Sequence, residues 1–188
     1  MTASQKCNLA CWVIFVLYWA VSAGSVKPVA ERPGGNAFFA YRLPVLIGYI
    51  LLFWRRPPPP LDFRLVPGTE VTEWLGPAFC VLGLFGAIWS RRTLGRNWSS
   101  SVVFKENHEL VVKGLYRLVR HPIYTSILLM CLGSAITAGR LGSWLGVVMV
   151  LAGFSIKLRQ EEVLMTQHFP TEYPAYKSRV KALIPFIL

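Results

Sequence analysis

Charged residues are scarce in this chain. Only 15% of the 188 residues are Asp, Glu, Lys or Arg, whereas 54% are hydrophobic. A water-soluble domain usually carries about 25% charged residues, so this composition argues against a soluble globular protein. A bilayer is the solvent that suits such a chain, and we predict an integral membrane protein.

Acidic residues are particularly few, at 9 against 20 basic residues, which gives a net charge of +11. A strongly basic chain can bind nucleic acid, but here the basic residues lie mainly in the gaps between apolar runs. Membrane proteins place basic residues there, where they meet anionic lipid headgroups. We therefore expect a lipid bilayer as partner and no nucleic acid.

Cysteine pairs of the Cys-x-x-Cys type are also missing. The four cysteines lie in or beside apolar runs, at positions 7, 11, 80 and 131. This spacing excludes a disulfide framework and gives no zinc motif, so we expect no bound metal. The cysteines are interpreted as small hydrophobic residues.

Five apolar runs dominate the rest of the chain. Each approaches the roughly 20 residues with which a helix crosses hydrocarbon, and the fifth is predicted to continue past the bilayer until Pro170 stops it. The first could also be a cleaved signal peptide, but its basic leader is Lys6 alone and no clean cleavage site follows. The fold class is therefore all-α: one polytopic membrane domain over 1–188, with helices at about 7–23, 37–54, 73–90, 123–138 and 143–169.

The connections between the runs carry further predictions. Residues 57–60 are four prolines, which predict a stiff polyproline strut of about 12 Å. The turn at 139–142 predicts an antiparallel hairpin of the fourth and fifth helices. Gly76, Gly83 and Gly86 predict that another helix approaches the third closely.

Basic residues divide unequally between the two sides of a five-helix arrangement. The connections 24–36 and 91–122 and the tail from Lys157 hold 2, 7 and 5 of them, which is 14, whereas the other side holds 5. The positive-inside rule places the richer side in the cytosol. The 91–122 connection and the C-terminal tail are thus predicted to meet on the cytosolic face.

Polar and aromatic functions concentrate in residues 107–125 and in the distant pair Glu161 and Glu162. Pro122 suits the first turn of a helix, whose free N–H groups favour an anion. Adjacent helical glutamates diverge by about 100°, so one can face a ligand while the other forms an ion pair. Each feature alone also fits a helix cap or a solvated helix end, and the hypothesis of a site depends on their occurrence together.

Taken together, these residues resemble the isoprenylcysteine carboxyl methyltransferase family, which groups with the phospholipid N-methyltransferases. The similarity covers about 90–188. It includes the segment Leu94-Gly95-Arg96-Asn97-Trp98-Ser99. The main motif is His108-x-Leu110-Val111-x-x-Gly114-x-Tyr116-Arg117-x-x-Arg120-His121-Pro122-x-Tyr124, followed by Arg159-x-Glu161-Glu162, Phe169, Glu172-Tyr173, Tyr176, Arg179-Val180 and Leu183-Ile184-Pro185.

The resemblance implies S-adenosylmethionine as methyl donor, bound on the cytosolic side by residues within about 91–188, where the C-terminal helical segment completes the pocket. It implies that Glu162, or else Glu161, holds the donor's amino group. Arg120 and Arg159 are candidates to hold an acidic acceptor or a lipid phosphate, as is Arg42. The implied catalytic residues are Arg120, Arg159 and Glu162, and the implied cofactor-binding residues are His108, Leu110, Gly114, Tyr116, His121, Tyr124, Glu161 and Glu162.

The methyl acceptor stays open at this point. A lipophilic, membrane-resident molecule is expected, either an isoprenylcysteine-like carboxylate or a lipid amine, and the oligomeric state is undetermined. The alternatives are a sterol-reductase-like enzyme that uses NAD(P)H and a non-catalytic membrane protein with the same fold. A Rossmann-type methyltransferase is excluded, because no Gly-x-Gly-x-x-Gly follows a strand.

Overall fold

A computed structural model describes residues 1–25, 29–31, 37–98, 104–105 and 109–185. Within these ranges the chain is almost entirely helical. The only strands described, β1 (Val29–Glu31) and β2 (Phe104–Lys105), form a short antiparallel ribbon. The helices are α1 (Ala3–Ser22), α2 (Ala37–Phe53), α3 (Glu70–Leu94), α4 (Pro122–Ala138), α5 (Leu141–His168) and α6 (Glu172–Arg179).

The five long helices begin and end within about one turn of the five predicted ones, and the all-α class is confirmed. Local signals explain several boundaries. A capping box formed by Thr2 and Gln5 starts α1, and Pro122 occupies the first turn of α4, where its missing N–H is no loss. Gly139 ends α4 in a left-handed conformation, with φ of 69°, which glycine adopts without strain.

Glycine allows the helices to pack backbone against backbone. A Cβ on Gly76 would lie 2.6 Å from the Gly133 carbonyl oxygen, so no side chain fits between α3 and α4. Similarly, a Cβ on Gly146 would lie 2.7 Å from the carbonyl oxygen of Gly48, where α5 meets α2. The predicted close approach at Gly76, Gly83 and Gly86 is confirmed, because all three face α4.

The predicted polyproline strut is wrong. The chain turns after Pro58, whose carbonyl accepts a hydrogen bond from Leu61 N at 2.9 Å. The connection then lies across the α4–α5 turn, where Gly142 N donates to the Leu61 carbonyl oxygen at 2.9 Å. Proline fixes its own φ but not the direction that the chain takes, and these backbone hydrogen bonds favour a turn.

The outer surface of the bundle is apolar. Large side chains such as Leu17, Leu82 and Phe85 are at least 60% exposed, and apolar patches of this kind mark contact with a partner or a membrane. By length and composition, two helical stretches among the described residues are sufficient to cross a bilayer, Glu70–Asn97 and Leu141–His168. Phe39–Phe53 and Pro122–Ala138 are shorter apolar helices.

Charged residues return in α5 at Lys157, so the apolar part of this helix ends at Ile156. The last turns of α5, the start of α4 and α6 meet at one end of the bundle, which we call the site end. The 54–69 connection and the α4–α5 turn form the opposite end. The two ends differ in chemistry, and each contains a cavity.

Candidate functional site

The C-terminal segment holds the start of α4 at the site end. Arg120 N donates to the Lys181 carbonyl oxygen at 2.8 Å, and His121 N donates to that of Ala182 at 3.0 Å. The Thr125 hydroxyl donates to the Leu183 carbonyl oxygen at 2.7 Å. These bonds join residues about sixty positions apart and explain how two distant motif segments form one site.

Glu162 is the centre of a buried ionic cluster. Its Oε1 accepts hydrogen bonds from Arg120 Nε at 2.8 Å and from Nη2 at 2.5 Å, and its Oε2 lies 2.7 Å from Lys177 Nζ. His121 Nε2 lies 3.3 Å from Oε1. The side chains of Arg120 and Glu162 are only 7% and 8% exposed, whereas that of Lys177 is 50% exposed. The cluster therefore joins α4, α5 and α6 through one carboxylate.

The cluster keeps Glu162 ionised. Burial alone would raise the pKa of this carboxyl group, because a charge is poorly solvated away from water. The hydrogen bonds from His121, Lys177 and Arg120, together with the charge of Arg120, outweigh burial and lower the pKa to about 2. Glu162 is thus a fixed anion whose oxygens already have partners.

Beside this cluster lies a cavity of about 350 Å³, within the roughly 300–1,000 Å³ of small-molecule sites. Its lining is both polar and apolar. Along α5 the lining residues run from Phe154 through Lys157 to Glu161, and we call the part toward Phe154, with Phe15, Tyr49 and Ile127, the apolar end and the part toward Glu161 the polar end. The polar lining residues are Asn97, Glu109, Tyr116, Arg120, His121, Tyr124, Lys157, Glu161, Tyr173 and Tyr176, and apolar side chains of Trp19, Leu94, Trp98, Leu110, Val111, Ile123, Leu164 and Met165 line the cavity as well.

Two carboxylates line this cavity, Glu109 and Glu161, and Glu161 is the one on α5. Its Oε1 accepts a hydrogen bond from the Tyr124 hydroxyl at 2.6 Å, and its Oε2 lies 3.6 Å from His121 Nδ1. Lys157 Nζ lies 3.9 Å from Oε1, one helical turn away. With 23% of its side chain exposed, Glu161 retains lone pairs that a ligand can reach.

Aromatic rings fix the position of the groups around Glu161. The His121 ring stacks on Tyr124, with centroids 5.5 Å apart, and Tyr124 stacks on Phe154 at 4.7 Å. Lys157 Nζ lies over the rings of Tyr41 and Tyr124, at 5.5 Å and 5.3 Å. A buried ammonium group gains from such faces, so a cation is held at the point where the polar and apolar ends meet.

Asn97, another lining residue, carries an unpaired acceptor. Asn97 is buried, and its Oδ1 has no hydrogen-bond partner within the described residues. Nearby, the Tyr176 hydroxyl donates to the Tyr116 carbonyl oxygen at 2.5 Å. Burial raises the pKa of Tyr176 to about 12, which excludes this phenol as a base near neutral pH.

Most of the predicted site residues come together. Those that line the cavity are Leu110, Tyr116, Arg120, His121, Tyr124 and Glu161. His108 lies outside the described residues. Gly114 does not line the cavity; its positive φ of 60° and the adjacent Thr93 hydroxyl mark a turn that requires glycine.

Three other predicted residues lie elsewhere. Arg159 is exposed and does not line the cavity. Arg42 is exposed, with its guanidinium 6.0 Å from the Tyr41 ring centre. Glu162 lies behind the cavity wall in the ionic cluster, so the geometry favours Glu161 as the ligand carboxylate and gives Glu162 a structural role.

Several lining residues were not predicted as site residues. Asn97, Tyr173 and Tyr176 are motif positions to which no role was assigned. Lys157 was considered only as a partner for a glutamate. One signal could have identified it: Lys157 precedes Glu161 by four residues, and side chains at this spacing share one face of a helix.

Comparisons with known proteins identify the family of the chain. The sequence model of the family described as phospholipid methyltransferase (PEMT) matches residues 71–172, which is more than half of the chain. The chain therefore belongs to this family. The resemblance to the isoprenylcysteine carboxyl methyltransferases is also confirmed, since relatives with that name match the chain.

Three relatives show how similar such proteins are to this chain and how much of it they cover. Protein-S-isoprenylcysteine O-methyltransferase A of Arabidopsis thaliana is 27% identical over 67% of this chain and 67% of its own length. A probable protein-S-isoprenylcysteine O-methyltransferase of Oryza sativa subsp. indica is 32% identical over 50% of this chain and 51% of its own. Cobalt-zinc-cadmium resistance protein CzcN of Cupriavidus metallidurans is 34% identical over 60% of this chain and 51% of its own length. The chain thus spans between half and two thirds of these relatives.

The ionic cluster generates a prediction about stability. Glu162→Gln removes the anion that compensates buried Arg120, and breaking a buried ion pair in this way costs about 3 kcal/mol or more. We expect a thermal unfolding midpoint several degrees lower in detergent. The folded-state pKa of Glu162 lies below its unfolded value, so its contribution is complete above about pH 5 and is lost as the pH falls toward about 2.

The measurement is the unfolding midpoint between pH 3 and pH 7 for the unmodified chain, Glu162→Gln and the neighbouring Glu161→Gln. The loss of stability on acidification should be smaller in Glu162→Gln than in the other two. Equal midpoints and equal pH dependence in all three would contradict a structural role for Glu162.

Proposed function

We propose that the chain is an integral membrane methyltransferase that takes its methyl group from S-adenosylmethionine and transfers it to a lipophilic acceptor in the membrane. The observation that carries this proposal is the two-part cavity. Its polar end has an anionic, hydrogen-bonding wall, and its apolar end reaches between helices. Family membership supports methyl transfer over the nicotinamide chemistry of a sterol reductase.

The polar end suits the proposed donor. S-adenosylmethionine carries two cations, a sulfonium and a protonated amino group. The Glu161 carboxylate can accept a charge-assisted hydrogen bond from that protonated amino group. The Tyr116 ring lines this end, where a planar base can lie against it, and Asn97, which also lines it, has an Oδ1 without a hydrogen-bond partner among the described residues. His108 stays a predicted contributor to this pocket.

When bound, S-adenosylmethionine supplies an electrophilic methyl group on positively charged sulfur. The acceptor would take this methyl group in line with the carbon–sulfur bond, which would break and release S-adenosylhomocysteine. The residues of the site therefore have to align the acceptor with the methyl carbon and exclude water. The stacked His121, Tyr124 and Phe154 rings form a rigid wall for this alignment.

Lys157 favours a carboxylate as acceptor. Its ammonium group is buried and lies where the two ends of the cavity meet. A carboxylate would be attracted there and needs no general base, whereas an ammonium acceptor would be repelled and must first lose a proton. Relatives named protein-S-isoprenylcysteine O-methyltransferases support an acid on an isoprenyl-like chain, and a lipid amine is the alternative.

In the proposed topology all five long helices cross the bilayer, and the site end faces the cytosol. The 14 to 5 division of basic residues supports this orientation, and the apolar outer surface supports insertion in the bilayer. The donor would then enter from the cytosol and the acceptor sideways from the lipid. Single cysteines in place of Asp62 and Ser178, in a cysteine-free chain, test the orientation: an impermeant reagent outside should modify position 62 and not 178.

Donor binding tests the proposed cofactor. Isothermal titration of the purified protein with S-adenosylhomocysteine should show one saturable site, and titration with NADPH should show none. Binding of NADPH without S-adenosylhomocysteine would support the sterol-reductase alternative. Binding of neither would leave the non-catalytic alternative.

The preferred methyl acceptor tests whether Lys157 holds a carboxylate. With labelled S-adenosylmethionine, transfer to a farnesylated cysteine should exceed transfer to phosphatidylethanolamine. Lys157→Met keeps the apolar stem but removes the charge, and loss of a charge-assisted hydrogen bond of about 1.5–3 kcal/mol should raise KM for the acid about tenfold or more.

Lys113→Met is the matched control, because Lys113 is exposed and does not line the cavity. Its KM should be unchanged. An unchanged KM in Lys157→Met as well, or preferred transfer to the lipid amine, would contradict a carboxylate acceptor held by Lys157.

A further inference from the structure

A second cavity, of about 570 Å³, lies at the opposite end of the bundle from the proposed active site. It is formed by the start of α1, the end of α2, the 54–69 connection and the end of α4. We propose that this cavity binds the headgroup and upper acyl chains of an anionic glycerophospholipid. The depth of the cavity in the membrane depends on the proposed topology, but its ligand does not depend on methyl transfer.

Three arginines line this cavity and lack a compensating anion. Arg64 Nε donates to the Val66 carbonyl oxygen at 2.9 Å, and Arg140 donates to that of Arg55. Among the described residues, no carboxylate forms an ion pair with these three arginines, although Glu73 lines the same cavity. Like charges around one cavity repel each other, so a phosphate bound in the cavity would be stabilised.

The floor of the cavity is polar and incomplete. Asn8 is only 7% exposed, and its Nδ2 donates to the Thr137 hydroxyl at 2.7 Å. Its Oδ1 is buried and has no partner in the described part of the chain. An unpaired buried carbonyl is unfavourable, and Asn8 is among the residues that line the cavity. A ligand with a hydrogen-bond donor would satisfy this amide once it turns toward the cavity, and an anion would pair with the arginines.

Apolar side chains complete the wall, chiefly Leu9, Trp12, Leu52, Phe53 and Trp54. Trp12 is held in place, because its Nε1 donates to the Ser134 hydroxyl at 2.9 Å. Arginines for a phosphate, an orphan acceptor for a hydroxyl group and an apolar wall for chains match a phospholipid such as phosphatidylglycerol. Free phosphate would leave the wall uncovered, and a fatty acid would leave Asn8 unsatisfied.

Arg55 and Arg56 provide a matched pair of variants. Both are exposed and adjacent, but only Arg55 lines the cavity. Binding of dioleoyl phosphatidylglycerol to the delipidated protein in detergent can be counted by native mass spectrometry. We expect one tightly bound molecule, an affinity about tenfold weaker in Arg55→Gln, and an unchanged affinity in Arg56→Gln.

Competition experiments identify the ligand. Dioleoyl phosphatidylcholine, oleate and inorganic phosphate should not displace phosphatidylglycerol at equal concentration. Displacement by oleate would mean a fatty-acid site, and displacement by phosphate a site for the free ion; either overturns the proposal. Equal weakening in Arg55→Gln and Arg56→Gln would mean unspecific attraction, which also overturns it.

A second measurement uses the unmodified chain and therefore does not depend on the folding of a variant. One equivalent of phosphatidylglycerol with brominated chains should quench tryptophan fluorescence, since Trp12 and Trp54 line the cavity, whereas one equivalent of the brominated phosphatidylcholine should not. Equal quenching by both lipids would overturn the proposal. S-adenosylhomocysteine titration of the same sample separates this outcome from failure of the proposed active site.

Discussion

The site end depends on one buried carboxylate. Glu162 accepts hydrogen bonds from Arg120 on the segment that leads into α4 and faces Lys177 on α6. Arg120 in turn donates to the backbone carbonyl of Val180, just beyond α6. A buried ion needs such complete pairing, so the cluster orders three elements that are distant in sequence. Without it, the strand-like pairing of 119–121 with the C-terminal segment would lose its side-chain support.

Adjacent glutamates perform different tasks because of helix geometry. Consecutive residues diverge by about 100° on a helix, so Glu162 points to α6 while Glu161 points into the cavity. His121 connects the two, with Nε2 near Glu162 and Nδ1 near Glu161. A ligand at Glu161 is therefore held by a wall that the Glu162 cluster fixes. In this account Glu162 stabilises the fold and Glu161 binds the ligand, so the two adjacent carboxylates have separate roles.

The helices could be predicted because long apolar runs with glycine and proline at their ends identify them locally. The family could be predicted because its motif residues occur together in the sequence, and several of them, such as Tyr116, His121 and Tyr124, meet in one cavity. Which glutamate faces the cavity could not be predicted, because it depends on the rotation of α5 against α4. The turn at Pro58 was missed because the residue that completes it, Leu61, is also held by a backbone hydrogen bond from Gly142. No local sequence pattern reveals that distant contact. Lys157 could have been placed beside Glu161 from their spacing of four residues, but its position over the rings of Tyr41 and Tyr124 depends on tertiary packing.

The division between the two glutamates is tested most directly by the dissociation constant of S-adenosylhomocysteine, compared between Glu161→Gln and Glu162→Gln at a temperature where both are folded. A charge-assisted hydrogen bond contributes about 1.5–3 kcal/mol, so Glu161→Gln should bind about ten- to a hundredfold more weakly than the unmodified chain. Glu162→Gln should change the affinity much less. A large loss confined to Glu162→Gln would contradict the account, because it would show that the ligand contacts the carboxylate assigned here to the ionic cluster.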